Sequence, residues 1–251
     1  KDQSDAQKAR ALEESLAYQA TRHQELLISQ LESGPPKNRQ VAALALGFSR
    51  EVSLPSDANT AGLPRRVDPL GPLLASLQDP EHLVAANAAF AIGLLSRAET
   101  PTGGLIEMLE RSPESKGRTN AAWAIYKVLS AGADSKGAVE PARRGLTDTE
   151  PAVRATCCLI LAQAMDIDSI GDMSLLLYDD ENHPAVAASR ALAYMGSRNE
   201  HARGPCARAL TGCLPRVRNA VRKRVIAVLQ HLAHANYGSD EEWIKWAHGL
   251  G

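Results

Sequence analysis

Small apolar residues recur along this chain at helical spacing, and the most compact statement of the pattern lies between Asp79 and Ser96. Asp79-Pro80 disfavours helix at the Asp and places a proline at a first helical position. An alanine-dense run with an apolar face follows, Val84 to Leu95. Its centre, Asn87-Ala88-Ala89-Phe90-Ala91-Ile92, returns 33 residues later as Asn120-Ala121-Ala122-Trp123-Ala124-Ile125. Self-similarity at that period predicts a stack of helical hairpins, each too thin to bury its apolar face alone. Gly93 inside the run costs about 1 kcal/mol against Ala unless a neighbour needs the space, so a close helix contact is expected there.

The same alternation divides the rest of the chain. Residues 4–33 read as one long helix or two joined ones, opened by a capping box of Ser4 and Gln7 and carrying Leu12, Leu16, Ala20, Leu27 and Leu31 as a stripe. A second helix spans residues 37–50. Residues 51–67, with Pro55, Gly62 and Pro64, are expected to form the one long irregular insertion. Five further pairs follow, each a helix, a turn and an alanine-rich helix. The last pair reads as 205–214 with 216–234. Residues 237–251 have their own start signal, Ser239 with Glu242, and put Trp243 and Trp246 on one face. That segment is expected to cap the array, over Ile226, Leu229 and Ala233. The whole chain, 1–251, is read as a single repeat domain.

The pattern resembles the HEAT-repeat family, including its bacterial variants. The matching residues are Leu73-Leu74-x-x-Leu77-x-Asp79-Pro80 with Val84-x-x-x-Ala88-Ala89-x-Ala91-Ile92-Gly93, then Leu146-Thr147-Asp148 with Pro151-x-Val153-Arg154-x-Thr156, and Pro184-x-Val186 with Ala191-Leu192. The third unit departs from the pattern, with Lys116-Gly117-Arg118 in place of an apolar–basic pair. The resemblance implies an all-α, right-handed α-solenoid of about six HEAT-like hairpins, with an N-terminal helix and a C-terminal capping helix. It implies a non-enzymatic protein-interaction scaffold whose second helices line a concave surface.

Composition narrows the chemistry. Lys and Arg number 28 against 29 Asp and Glu, which argues against a general nucleic-acid or membrane-surface binder. No apolar run approaches the ~20 residues that span a bilayer. The spacing of the four cysteines suits small buried thiols better than a disulfide framework, a lean towards a reducing, cytoplasmic setting. Because the chain begins at Lys1, an exported or anchored form stays open. Signatures of hydrolases, zinc proteases, dinucleotide binders and phosphate loops are absent. HEAT-like deoxyhypusine hydroxylases hold iron through His-Glu pairs, whereas this chain has the reversed Glu81-His82 and Glu200-His201. Bilin lyases resemble it in the repeats alone. His231 and His234 could share one helix face, and Asp166, Asp168, Asp172, Asp179, Asp180 and Glu181 form an acidic run lacking the calcium-loop pattern. No cofactor and no metal are expected.

Charge is unevenly spread, however. No Lys or Arg occurs between Ala155 and Ser189, while residues 198–224 hold eight basic residues and one acidic, Glu200. These segments could pair within the array or serve a partner. On the last second helix, Arg216, Lys223 and Gln230 recur at steps of seven, with Asn219 beside them and Arg222 flanking. Val221, Val225, Val228 and Leu232 fall opposite. The five polar residues, Arg216, Asn219, Arg222, Lys223 and Gln230, are therefore the candidate partner surface, suited to an acidic protein segment. The alternative is a nucleic acid or another anionic ligand on the same basic repeat, disfavoured by the scarcity of exposed aromatics. A HEAT-like lyase or hydroxylase subunit is the third reading.

Overall fold

In a computed structural model of the protein, residues 2–49 and 67–250 are described, side chains from Asp5 onwards. All regular structure among them is helical, and the fold is an α-solenoid of HEAT-like hairpins. The insertion expected over 51–67 lies, apart from Val67, outside the described residues. No described helix is long and apolar enough to cross a membrane. The chain divides into two compact units, Lys1–Ala133 and Asp134–Gly251.

In the first unit α1 (Asp2–Arg22) leads into three hairpins: α2 (Gln24–Ser33) with α3 (Pro36–Leu46), α4 (Leu70–Ala75) with α5 (His82–Leu95), and α6 (Gly103–Arg111) with α7 (Ser115–Ser130). The second helices pack in succession, α3 on α5 and α5 on α7. The internal repeat explains how. Asn87 Nδ2 donates to Gln40 O at 3.0 Å and Asn120 Nδ2 to Ala86 O at 2.8 Å, so each asparagine reaches the second helix before its own. The aromatic pair of the repeat meets directly, Phe90 and Trp123 stacking 4.9 Å apart. Gly93 is buried where α5 meets α7, and a Cβ there would run into the Trp123 ring and lie 3.0 Å from Ala124 Cα. The contact expected at Gly93 is therefore present.

Two expectations at the N-terminus fail. Because α1 starts at Asp2, Ser4 lies within the helix and cannot be its N-cap. Leu12 and Leu16 are 63% and 44% exposed, and it is Ala17 and Ala20 that α1 buries. Residues 4–33 form two helices, broken at His23.

The second unit repeats the plan with α8 (Val139–Gly145) and α9 (Pro151–Gln163), α10 (Ile170–Leu175) and α11 (Asn182–Arg198), then α12 (Glu200–Cys213) and α13 (Asn219–Ala233), followed by α14 (Asp240–His248). Here α9, α11 and α13 pack in succession. The Ser239–Glu242 capping box forms as the sequence predicts. Trp243 is buried, packed edge-on by Tyr237 at 4.8 Å and Trp246 at 5.8 Å. The principal neighbour of α14 is α12; Leu229, one of the α13 residues expected beneath the tryptophans, is itself fully buried.

A recurrent arginine holds the hairpin turns. Arg39, Arg118, Arg154 and Arg222 each stand four residues after the N-cap of a second helix and each donates to a backbone carbonyl of the preceding turn. Arg39 also grips Asp79 through two hydrogen bonds of 2.8 and 2.9 Å, and Arg154 grips Asp179 at 2.7 and 2.8 Å. Arg118 thus keeps the turn role although Gly117, beside it, stands where α9 has Val153.

Candidate functional site: the basic face of α13

The helix α13 buries Val221, Val225, Leu229 and Leu232, a stripe at three- and four-residue steps. Val228, expected in that stripe, is only half-buried and Leu229 takes its place. Lys223, Arg224 and Gln230 are exposed, as is Asn219 at the first helical position. Arg216 lies in the turn before the helix, so the seven-residue step does not carry it onto the same face. It is exposed there, next to the α13 entry. Gln230 shares its amide with Asn236 Oδ1 at 2.9 Å.

Arg222 behaves differently. Its guanidinium donates to Leu214 O at 2.7 Å and to both Asp240 oxygens at 2.9 and 2.6 Å. Asp240 opens α14, so this residue ties the start of α13 to the start of the last helix. Arg218 is also engaged, donating to Asp180 O at 2.7 Å and Asp179 O at 2.6 Å. Of the five candidate residues, Asn219, Lys223 and Gln230 share the exposed side of α13, Arg216 adjoins it, and Arg222 is committed to the fold.

The acidic run is resolved residue by residue. Asp179 goes to Arg154, and Asp166 takes two hydrogen bonds from Arg143 at 2.8 and 2.6 Å and one from Ser169. Burial alone would raise the pKa of these carboxyls. The arginine hydrogen bonds, the Glu181 backbone N–H at Asp179, Ser169 at Asp166 and the arginine charges together outweigh it, and hold both below the usual carboxylate value. Asp168 and Asp180 stay exposed. Arg218 of the basic stretch thus reaches the acidic one through carbonyl oxygens and not through a carboxylate.

The remaining candidate chemistry does not assemble. His231 and His234 have ring centroids 6.1 Å apart, and His234 ends the helix in a left-handed conformation. Among the described residues no three His, Cys, Asp or Glu are grouped to hold a metal ion. All four cysteines are buried and free, and burial pushes the thiols of Cys157, Cys206 and Cys213 up to about 12 and that of Cys158 higher still. Burial of this kind favours the neutral thiol over the thiolate that a nucleophile or a metal ligand needs.

No protein-family model matches the chain, and neither does any curated protein. Solved structures do. One is an engineered protein with 20% identity and a TM-score of 0.59, covering 85% of this chain and 97% of the other. A second is a designed armadillo repeat protein in complex with the peptide (KR)4, with 18% identity and a TM-score of 0.60 over 82% and 98% of the two chains. A third is the complex of CpcE and CpcF of phycocyanin lyase from Nostoc sp. PCC7120, at 20% identity and a TM-score of 0.53 over 90% and 92%. Identities this low speak to fold alone, and together with the hairpins they make this chain a HEAT-like helical-repeat protein.

Proposed function

We propose that the chain is a non-enzymatic protein-interaction scaffold whose α13 face, with the turn before it, takes an acidic segment of a protein partner. The observation that carries this reading is the state of two cations. Arg216 and Lys223 are exposed and have no carboxylate partner among the described residues, whereas Arg143, Arg154 and Arg222 are each held by an aspartate. Asn219 and Gln230 add neutral polar groups alongside. Support for a peptide ligand comes from the designed armadillo protein, whose helical repeats are found with the basic peptide (KR)4. On α13 the uncommitted charges are positive, so the complementary peptide is acidic. Arg222 supports the surface by anchoring the helix and leaves recognition to its neighbours.

The test is binding of a fluorescent glutamate-rich peptide, followed by anisotropy across a salt series. Exposed charge pairs are screened beyond ~8 Å at physiological ionic strength, so affinity falls as salt rises. Arg216→Glu combined with Lys223→Glu abolishes binding and leaves helical content and melting unchanged, because neither side chain enters the core. Equal binding by the double variant, or none by the native chain, overturns the reading. Preference for a DNA or RNA oligonucleotide over the peptide favours the anionic-ligand alternative.

A further inference from the structure

A second group of arginines without a carboxylate partner among the described residues lies at the junction of α11 and α12. Asn199 is extended and does two jobs: it ends α11 after Arg198, and its side chain accepts from His201 N at 2.9 Å and Ala202 N at 3.4 Å, capping α12. Beside the junction is an open cavity of about 1180 Å3, lined among others by Arg198, Glu200, His201, Arg203, Arg208 and Leu250.

The arginines are positioned without being neutralised. Arg203 donates from Nη2 to Leu232 O at 3.1 Å, and its Nε is buried with no hydrogen-bond partner. Arg208 donates from Nη1 to Leu250 O at 3.1 Å. The guanidinium of Arg198 lies 5.2 Å from the centroid of the Tyr194 ring. None of the three has a carboxylate partner among the described residues. Glu200 is the one acidic residue of the lining, so three arginines against one glutamate leave an excess of two positive charges. Since Asn199 already occupies the amides of His201 and Ala202, the donors on offer belong to the arginines and not to the helix end.

We propose that this cavity binds a phosphate dianion, free or carried as a monoester. A planar guanidinium matches the oxygens of a phosphate in pairs, and three forks exceed what one carboxylate can satisfy. A phosphate monoester carries about −1.5 to −2 charges at neutral pH, close to the excess here, whereas a carboxylate would leave one charge over. The cavity is much larger than a phosphate, which leaves room for the group that bears it. None of the α13 candidates lines it, so the proposal is independent of the peptide reading.

Calorimetry on the full chain tests this with inorganic phosphate, a phosphoserine peptide and the same peptide unphosphorylated. At least one phosphate probe binds one to one, the unphosphorylated peptide does not, and Arg198→Gln with Arg208→Gln weakens binding at least tenfold. Arg216→Glu with Lys223→Glu leaves it unchanged. Tighter binding of inorganic phosphate assigns a free phosphate; tighter binding of the peptide assigns a phosphorylated partner. The proposal falls if neither probe binds at millimolar concentration, if binding survives the arginine pair, or if it is lost in the α13 variant instead. Should Arg208→Gln disturb folding, the exposed Arg198→Gln alone and NMR of the arginine Nε–H groups decide. Phosphate-induced shifts belong at Arg198, Arg203 and Arg208, and shifts confined elsewhere overturn the site.

Discussion

At the start of α11, the Asp179 carboxylate takes two hydrogen bonds from Arg154 and a third from the Glu181 backbone N–H at 2.9 Å; at its end, Arg198, Arg203 and Arg208 line a cavity whose one acidic residue is Glu200, and none of the three is ion-paired among the described residues. The turn at the start follows a rule found again in the first unit, where Asp79 accepts from Arg39 and from Glu81 N at 2.8 Å. In both, one carboxylate closes the turn and neutralises the arginine of the preceding second helix. Such an arginine has nothing left for a partner. At the other end, Arg203 and Arg208 are held by carbonyl oxygens, which fix a guanidinium without cancelling its charge. The number of basic residues is thus a poor guide to binding. What matters is whether the repeat's own turns consume them.

The largest test of the contrast is Asp179→Ala. Arg154 is 16% exposed and Asp179 7%, so the change leaves a nearly buried cation alone. It should cost about 3 kcal/mol, the low end for breaking a buried pair because some solvent reaches Arg154. Urea unfolding measures it. Replacing both partners by Leu should recover most of the loss, since the uncompensated charge is then gone. A loss of under ~1 kcal/mol would rank the pair with ordinary surface pairs and erase the distinction between the two ends of α11.

Acid comes next. Asp79, Asp166 and Asp179 have folded pKa values below the usual 3.8, so the stability they contribute is fully present above that value. It is lost as pH falls through 3.8 towards the folded values. Asp166→Asn with Asp179→Asn should flatten that part of a melting-temperature profile. The arginine pair at the end of α11, changed to Gln, should leave the profile's shape alone. A profile that the Asn variants do not alter would mean that these carboxylates carry no linkage.

Much of the fold can be read from residues whose neighbours are further copies of the same pattern. The recurrence of Asn87 and Phe90 as Asn120 and Trp123 announces the hairpin stack because each copy packs on the next, and Gly93 follows from that contact. Leu12 and Leu16 mislead for the converse reason: periodicity says which residues share a face, and nothing about whether a neighbour covers it. The α13 face is half legible. Counting sevens places Lys223 and Gln230 on one exposed face but passes through a turn at Arg216. Arg222 looks free because Asp240 is 18 residues away, yet the sequence does carry a signal. Arg39, Arg118, Arg154 and Arg222 share one register, four residues after a second helix's N-cap. The cavity arginines give no such sign, since their spacing of five fits no single helix face, and Leu232 and Leu250 reach them only through the tertiary fold.

A smaller effect belongs to Arg218, the basic residue that reaches the turn before α11. It is exposed and holds two carbonyl oxygens, so Arg218→Ala should cost about 1–2 kcal/mol. No detectable cost would show that these two hydrogen bonds do not hold the turn, and would leave the acidic and basic stretches independent.

The smallest predicted effect sharpens the comparison most. Arg198→Gln removes a cation over the Tyr194 ring, a contact worth about 0.5–1 kcal/mol at an exposed site. It also relieves repulsion among three like charges that no carboxylate offsets other than Glu200, a term of opposite sign and similar size at an exposed position. The two should nearly cancel, leaving stability within about 0.5 kcal/mol of the native chain. Raising salt should separate them, because screening removes the relief and spares most of the ring contact, so the variant becomes slightly the less stable at high ionic strength. A clear loss at low salt would show that Arg198 serves the fold as Arg154 does. A clear gain would show that the arginines at this junction are held against their own repulsion, as expected of a site organised around an anion.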